Sequence, residues 1–331
     1  MSSLNEILKE RLSAEAYDRL MAVDNTKIHE FVADAIELTN PGQVFVCTDS
    51  AEDVRHVREM AIESGEEGPL EIAGHTYHFD GPSDQGRDRK ATKYLVPETE
   101  KLSEALNQME REAGLAEVRG LLKDSMKGRT MILRFLSLGP AGSVFSVPCV
   151  QITDSWYVAH NEDLLYRTAY PQFCKIEKDK NVFCFLHSCG AVDDNMISVD
   201  VKNKRIYMDY TRDTVYSVNT QYGGNTMGLK KLALRLTIRQ ADREGWLAEH
   251  MFISGVYGPG GRKTYLAGAF PSACGKTSTA MLPGETILGD DIAYFRKING
   301  EFRAVNAEAG IFGIIQNVSC LLYTSDAADE L

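Results

Sequence analysis

The feature that most constrains this chain is the segment Phe270–Ser278, FPSACGKTS, entered from the apolar run TYLAGAF at Thr264–Phe270. Gly-Lys-Thr placed after a strand is the working half of a phosphate loop. Such a loop needs a strand that stops, a turn whose amides point inward and a helix that starts, so it commits its surroundings to mixed α/β structure. Amides around Gly275 can cradle phosphate oxygens, Lys276 can reach the β- and γ-phosphates, and the Thr277 hydroxyl can hold Mg2+. The strict pattern opens on a glycine where this chain has Phe270, so the loop alone leaves a plain turn into a helix as the other reading. Fourteen residues past Thr277, GDDIAY sets Asp290 and Asp291 at the start of a strand, where a carboxylate can reach a metal beside the loop.

A chain of 331 residues exceeds one ordinary core and fits two domains. With 36 Lys and Arg against 47 Asp and Glu, the net charge is −11. That balance argues against broad binding to nucleic acid or to an anionic membrane, so an anionic ligand must be held by local basic groups. No apolar run approaches the ~18–20 residues that span a bilayer. The start, MSSLNEILKERLSAEAYDRL, lacks the apolar core of a signal peptide. The expectation is a cytoplasmic protein whose seven Cys stay reduced.

Periodicity predicts helices over 4–23, 26–38, 53–64 and 229–244, and a long helical stretch over 98–125 that Gly114 and Gly120 can break. It predicts strands over 44–49, 130–136, 147–153, 182–187, 197–201, 205–210, 215–218, 251–256, 264–270, 291–297 and 302–305. Residues 70–79 read as a hairpin turning near Gly74, and Asn299-Gly300 is a strong type I′ signal. Strands and helices mix throughout, so the class is α/β, with a boundary near 243–250. His75 and His78 are read as hairpin residues, and Cys184, His187 and Cys189 as core and turn residues.

Upstream of the loop, YGGNTMGLKK (Tyr222–Lys231) offers two glycines for close approach to a ligand and then two lysines that open a helix. EGWLAEH ends in His250. With these spacings, YGGN, GLKK, GWLAEH, FPSACGKT and GDDIA closely resemble the GTP-dependent phosphoenolpyruvate carboxykinases. The resemblance continues through Met126–Ser143 and Ile152–Val158, and the cysteine inside the loop is its most specific mark. It implies a mixed-sheet N-terminal substrate-binding carboxykinase domain over 1–245 and part of a P-loop nucleotide- and metal-binding domain over 246–319. The implied reaction takes oxaloacetate and GTP to phosphoenolpyruvate, GDP and CO2 in a monomeric, gluconeogenic enzyme. The implied Mn2+ ligands are Lys231, His250 and Asp291. A lysine ligates metal only as the neutral amine, a state that the neighbouring Lys230 favours. Arg87 clamps a substrate carboxylate, with Arg89 as a rival. Tyr222, Gly223, Gly224 and Ser272 line the substrate site, with Asn225 beside them. Ala273, Cys274, Gly275, Lys276, Thr277 and Ser278 wrap the nucleotide, with Thr277 on its Mg2+. Cys274, Lys276 and Arg87 are the implied active-site residues, Cys274 shaping the loop rather than acting as a nucleophile.

The rival readings are another P-loop phosphotransferase, such as an ATP-dependent carboxykinase, and a non-catalytic nucleotide-binding module. The end of the chain, Cys320–Leu331, CLLYTSDAADEL, resembles the translation of a sequencing-library adapter. The expectation is therefore a clipped, non-native end over 320–331, and a polypeptide that binds GTP poorly and turns over little.

Overall fold

The computed structural model describes residues 4–84, 90–222, 228–270 and 274–311. In chain order its first strands are β1 (Gln43–Val46), β2 (Gly68–Pro69), β3 (Thr76–Tyr77), β4 (Thr92–Val96), β5 (Gln108–Glu110) and β6 (Thr130–Leu138). They continue as β7 (Val147–Thr153), β8 (Arg167–Thr168), β9 (Phe183–Ser188), β10 (Arg205–Asp209) and β11 (Thr214–Val218). All but β2 and β3, which pair with each other, form one sheet in the order β1-β6-β7-β9-β11-β10-β4-β5, with β8 against β6. The sheet is mixed: β7, β9 and β11 run parallel, whereas β6 and β10 are antiparallel to β7 and β11.

Both faces of this sheet are covered, which is why its central strands read as unbroken apolar runs. Side chains alternate between faces. Cys184 and Leu186 enter one core with the helices Ala14–Met21, Thr26–Thr39 and Arg111–Leu122, while Phe183 and Phe185 enter another with Leu229, Leu232, Trp246 and Tyr294.

The parallel strands β7, β9 and β11 end level, and the chain beyond their carboxyl ends is polar and buried. Ligands of open α/β sheets gather at such an edge. Here Asp154 accepts from the Ser188 hydroxyl (2.7 Å), the Cys189 amide (2.9 Å) and Arg129 Nη1 (2.9 Å). His187 is fully buried: Nε2 donates to the Thr220 carbonyl at 2.6 Å, which leaves Nδ1 to accept from the Thr153 hydroxyl at 2.7 Å. The Thr220 hydroxyl donates to Asp84 Oδ1 (2.6 Å), and the amides of Gln221 and Tyr222 donate to Asp84 Oδ2 (2.8 and 3.3 Å).

The remaining strands, β12 (Leu247–Glu249), β13 (Phe252–Tyr257), β14 (Lys263–Gly268), β15 (Thr286–Gly289), β16 (Ala293–Ile298) and β17 (Glu301–Asn306), form two three-stranded antiparallel sheets, β14-β13-β15 and β12-β16-β17. Asn299 and Gly300 both have positive φ, as a type I′ turn requires.

Three expectations are corrected. Residues 4–23 are two helices, Leu4–Arg11 and Ala14–Met21, because Ser13 caps the second by accepting from the Ala16 amide. Residues 98–125 are not one helix: Gln108–Glu110 pairs in parallel with β4, and Glu110 then caps Arg111–Leu122 through the amides of Glu112 and Ala113. Residues 197–201 hold one isolated bridge, Val192 to Ser198, because the Asp193 carboxylate draws the amides of Asn195 and Ile197 into a turn. A helix over Trp156–Leu165 was not anticipated; Ser155 and the buried Glu66 carboxylate serve its first amides.

Two outcomes are expected. Burial lowers the His187 pKa below the ordinary histidine value, so its contribution to stability is present above about pH 6.5 and is lost as pH falls below that. His187→Gln should therefore lose less melting temperature than the parent between pH 8 and pH 5. Parallel profiles would refute this. Separately, Tyr257, Tyr265, Leu266, Leu288 and Phe302 are exposed on the second region, and exposed apolar side chains favour association. Sedimentation velocity should show concentration-dependent association, weakened by Leu266→Gln with Phe302→Gln at unchanged far-UV dichroism.

Candidate functional site

Three segments converge on the Asp291 carboxylate, which lies between β15 and β16. His250, just after β12, places Nε2 2.7 Å from Asp291 Oδ1. Lys276 opens the helix Lys276–Ala280 beyond Gly275, whose φ of 80° makes the turn. Its ammonium bonds to Oδ1 and lies 3.3 Å from the Asp291 carbonyl oxygen. Lys230 bonds to Oδ2 and lies 3.4 Å from Glu308 Oε1. Beside this cluster the Thr277 hydroxyl donates to Asp290 Oδ2 at 3.0 Å.

Local packing explains how Lys230 arrives. A Cβ on Gly228 would lie 1.9 Å from Phe185 Cζ, so only glycine lets this backbone press onto the sheet. The chain then runs through Gly228–Lys230, a π-helical turn over Lys231–Leu236 and the helix Thr237–Glu244, where the sequence predicted one regular helix. Single π-turns inside helices recur at functional sites. The second region docks on the first through the Gly139 amide on the Ala307 carbonyl (2.7 Å) and Arg167, whose Nη1 and Nη2 donate to the carbonyls of Ala307 and Glu308 (both 3.0 Å).

The electrostatics follow from this crowding. Burial acts to raise the Asp291 carboxyl, but the His250 hydrogen bond and the Lys230 and Lys276 ammonium groups outweigh it and hold it well below the usual range. Burial likewise opposes the Lys230 ammonium, yet Glu308 and Asp291 leave its pKa raised. Glu308 is pushed up to about 7, first by burial and further by Asp291 and Asp290, with Lys230 pulling the other way. Burial also raises Asp290, whose Oδ1 has no hydrogen-bond partner among the described residues.

The donors suit a divalent transition metal in kind: an imidazole and a carboxylate converge, and Asp290 has one buried oxygen unpaired among the described residues. Among the described residues no three His, Cys, Asp or Glu side chains gather as a metal cluster, so a protein-bound cation here needs a lysine amine or ligand oxygens to complete its shell.

Of the residues named from the sequence, the structure brings together His250, Lys276 and Asp291, with Thr277 alongside. Lys231 begins the π-turn one residue beyond the lysine that touches Asp291. Cys274 and Ser278 are exposed at the loop. Tyr222 is half-buried, with its amide on Asp84. Arg87, Arg89, Gly223, Gly224, Asn225, Ser272, Ala273 and the 320–331 segment lie outside the described residues. Sequence reasoning missed Asp84 and Glu308, which no motif marks, and passed over Lys230 as a partner of Asp291. Among the described residues no helix is long and apolar enough to cross a membrane.

Comparison with known proteins identifies the family. Residues 30–242 match the family model of the phosphoenolpyruvate carboxykinase N-terminal domain, and residues 246–324 match that of the phosphoenolpyruvate carboxykinase C-terminal P-loop domain. Similar curated proteins named phosphoenolpyruvate carboxykinase [GTP] include those of Pyrococcus horikoshii (52% identical, 95% of this chain, 50% of the relative), Saccharolobus solfataricus (43%, 96% and 50%) and Chlamydia trachomatis (33%, 91% and 53%). The chain spans about half the length of these relatives. With both domain models matched over consecutive stretches, the chain belongs to the phosphoenolpyruvate carboxykinase family.

Proposed function

We propose that this chain carries the metal and phosphate machinery of a GTP-dependent phosphoenolpyruvate carboxykinase, which converts oxaloacetate and GTP to phosphoenolpyruvate, GDP and CO2. The observation that carries the reading is the convergence of His250, Lys276 and Lys230 on Asp291 beside the Thr277–Asp290 pair. The proposed division runs at residue 245, with a substrate domain before it and a nucleotide and metal domain over 246–319.

Each residue then has a task. Asp291 and His250, with Lys231 as amine donor, hold Mn2+. When bound, that ion supplies Lewis acidity toward the substrate carbonyl and stabilises the charge left when CO2 departs. Lys276, buried at the loop, neutralises charge on the transferring phosphoryl group, and Thr277 holds the Mg2+ that accompanies the nucleotide. Amides of Ala273 to Ser278 receive the phosphate oxygens. Arg87 and Ser272 hold the substrate, with Tyr222, Gly223 and Gly224 lining its site. Asp84 fixes the Tyr222 backbone from a buried position. Cys274, exposed at the loop, needs no role as a nucleophile.

Phosphorus NMR tests this reading on the chain itself. Mg-GTP should bind weakly but saturably, and Mn2+ should broaden its γ-phosphate resonance more than its α-phosphate resonance. Lys276→Ala should weaken binding at least tenfold, about 1.4 kcal/mol. Equal affinity of that variant and the parent, or no saturable binding at millimolar GTP, would remove the reading.

A further inference from the structure

Asp291 is over-subscribed. Its two carboxylate oxygens receive the ammonium groups of Lys230 and Lys276 and Nε2 of His250. A divalent cation cannot join the same carboxylate while both ammonium groups stay, because like charges this close repel strongly away from bulk water. One of them must leave. Lys276 is also held by the Asp291 carbonyl oxygen and stands at the head of the phosphate loop. Lys230 has a second anion within reach, Glu308, whose Oε1 is 3.4 Å from its Nζ.

Glu308 is otherwise hard to explain. It is 1% exposed, and neither carboxylate oxygen has a hydrogen-bond partner among the described residues. Burying a carboxylate on these terms is costly. Docking of the two regions does not need the side chain, since the Glu308 backbone carbonyl is what receives Arg167 Nη2 and Asn306 Nδ2. The carboxylate is an acceptor held in reserve beside an ammonium that another carboxylate already binds.

We propose that Lys230 has two stations, Asp291 when the metal is absent and Glu308 when the metal is bound, and that Glu308 is the positioning residue that makes room for the cation. The backbone need not move. Gly228 pins it to Phe185, and rotation of the lysine side chain carries the charge across. Glu308 thus acts on the metal through Lys230 and is not itself a ligand. This rests on the reading of His250 and Asp291 as metal ligands.

Titration of the 331-residue chain with Mn2+, followed by the electron paramagnetic resonance of the free ion, tests the exchange without turnover. Glu308→Gln should weaken Mn2+ binding at least tenfold, because the displaced ammonium then has no anion to receive it. Glu308→Asp should recover part of the loss. Adding Lys230→Met to Glu308→Gln should restore the parental affinity or better, since no ammonium remains to be rehoused. Without metal, Glu308→Gln should melt no lower than the parent, whereas a purely structural glutamate would lower the melting temperature and leave Mn2+ affinity alone. Asp291→Asn is the control for the underlying reading. If it leaves affinity intact, the ion binds elsewhere and that reading fails. If it abolishes binding while Glu308→Gln stays within twofold of the parent, the exchange is wrong and the metal site stands. A Glu308→Gln loss that persists in the Lys230→Met background would also overturn the exchange, making Glu308 a direct ligand. Absence of Mn2+ binding by the parent would overturn both.

Discussion

A single carboxylate organises the second half of this molecule. Asp291 ties together the end of β12, the head of the phosphate-loop helix and the lysine that leaves the first sheet through Gly228. A charge this enclosed is tolerated only because opposite charges meet it, and removal of one partner exposes the others to the full penalty of desolvation. The cluster therefore fixes its own geometry. Lys230 belongs to the segment packed on Phe185, so the same contact sets how the P-loop region sits against the large sheet. Arg167 and the Gly139 amide complete that docking on backbone carbonyls, where the bonds carry no competing charge on the acceptor.

The region beyond the carboxyl ends of β7, β9 and β11 is organised differently. There the buried groups are mostly neutral donors and acceptors arranged end to end, from Thr153 through His187 to Thr220, with Asp84 as their anchor. The consequence is rigidity at Tyr222. Its amide and that of Gln221 share one carboxylate oxygen, and the residue before them is held at both its hydroxyl and its carbonyl. A segment fixed this way enters the glycine pair with its direction already set.

How much was legible in the residues depended on how local the cause is. Val147–Thr153 has the same bounds in sequence and structure because an apolar run between turn signals is a local statement. The phosphate loop, His250 and Asp291 were legible for a similar reason: each belongs to a short pattern whose chemistry constrains neighbours. The start of the helix at Arg111 was not, since it depends on Gln108–Glu110 pairing with a strand twelve or more residues away. Lys230 and Lys231 look interchangeable in sequence. Lys230 bonds to Asp291 and Lys231 begins a π-turn, and no residue preference announces such a turn. Glu308 carries no pattern at all. Its interest lies in being buried beside an ammonium that already bonds to Asp291, a property that only packing creates.

The charge of the chain gives these local arrangements their weight. At a net −11, the average field repels anions, so the reading of a triphosphate and dicarboxylate site requires positive charge held where the ligand sits. Much of the basic complement is spent internally: Arg129 on Asp154, Arg111 on Asp209, Arg134 on Asp163 and Lys204 beside Asp84. Lys230 and Lys276 are paired too, but with a carboxylate that a metal ion can claim. On the proposed exchange the arriving ion adds its own charge while Lys230 passes to Glu308. The ion and Lys276 are then what meets an anion, which would couple cation binding to substrate binding.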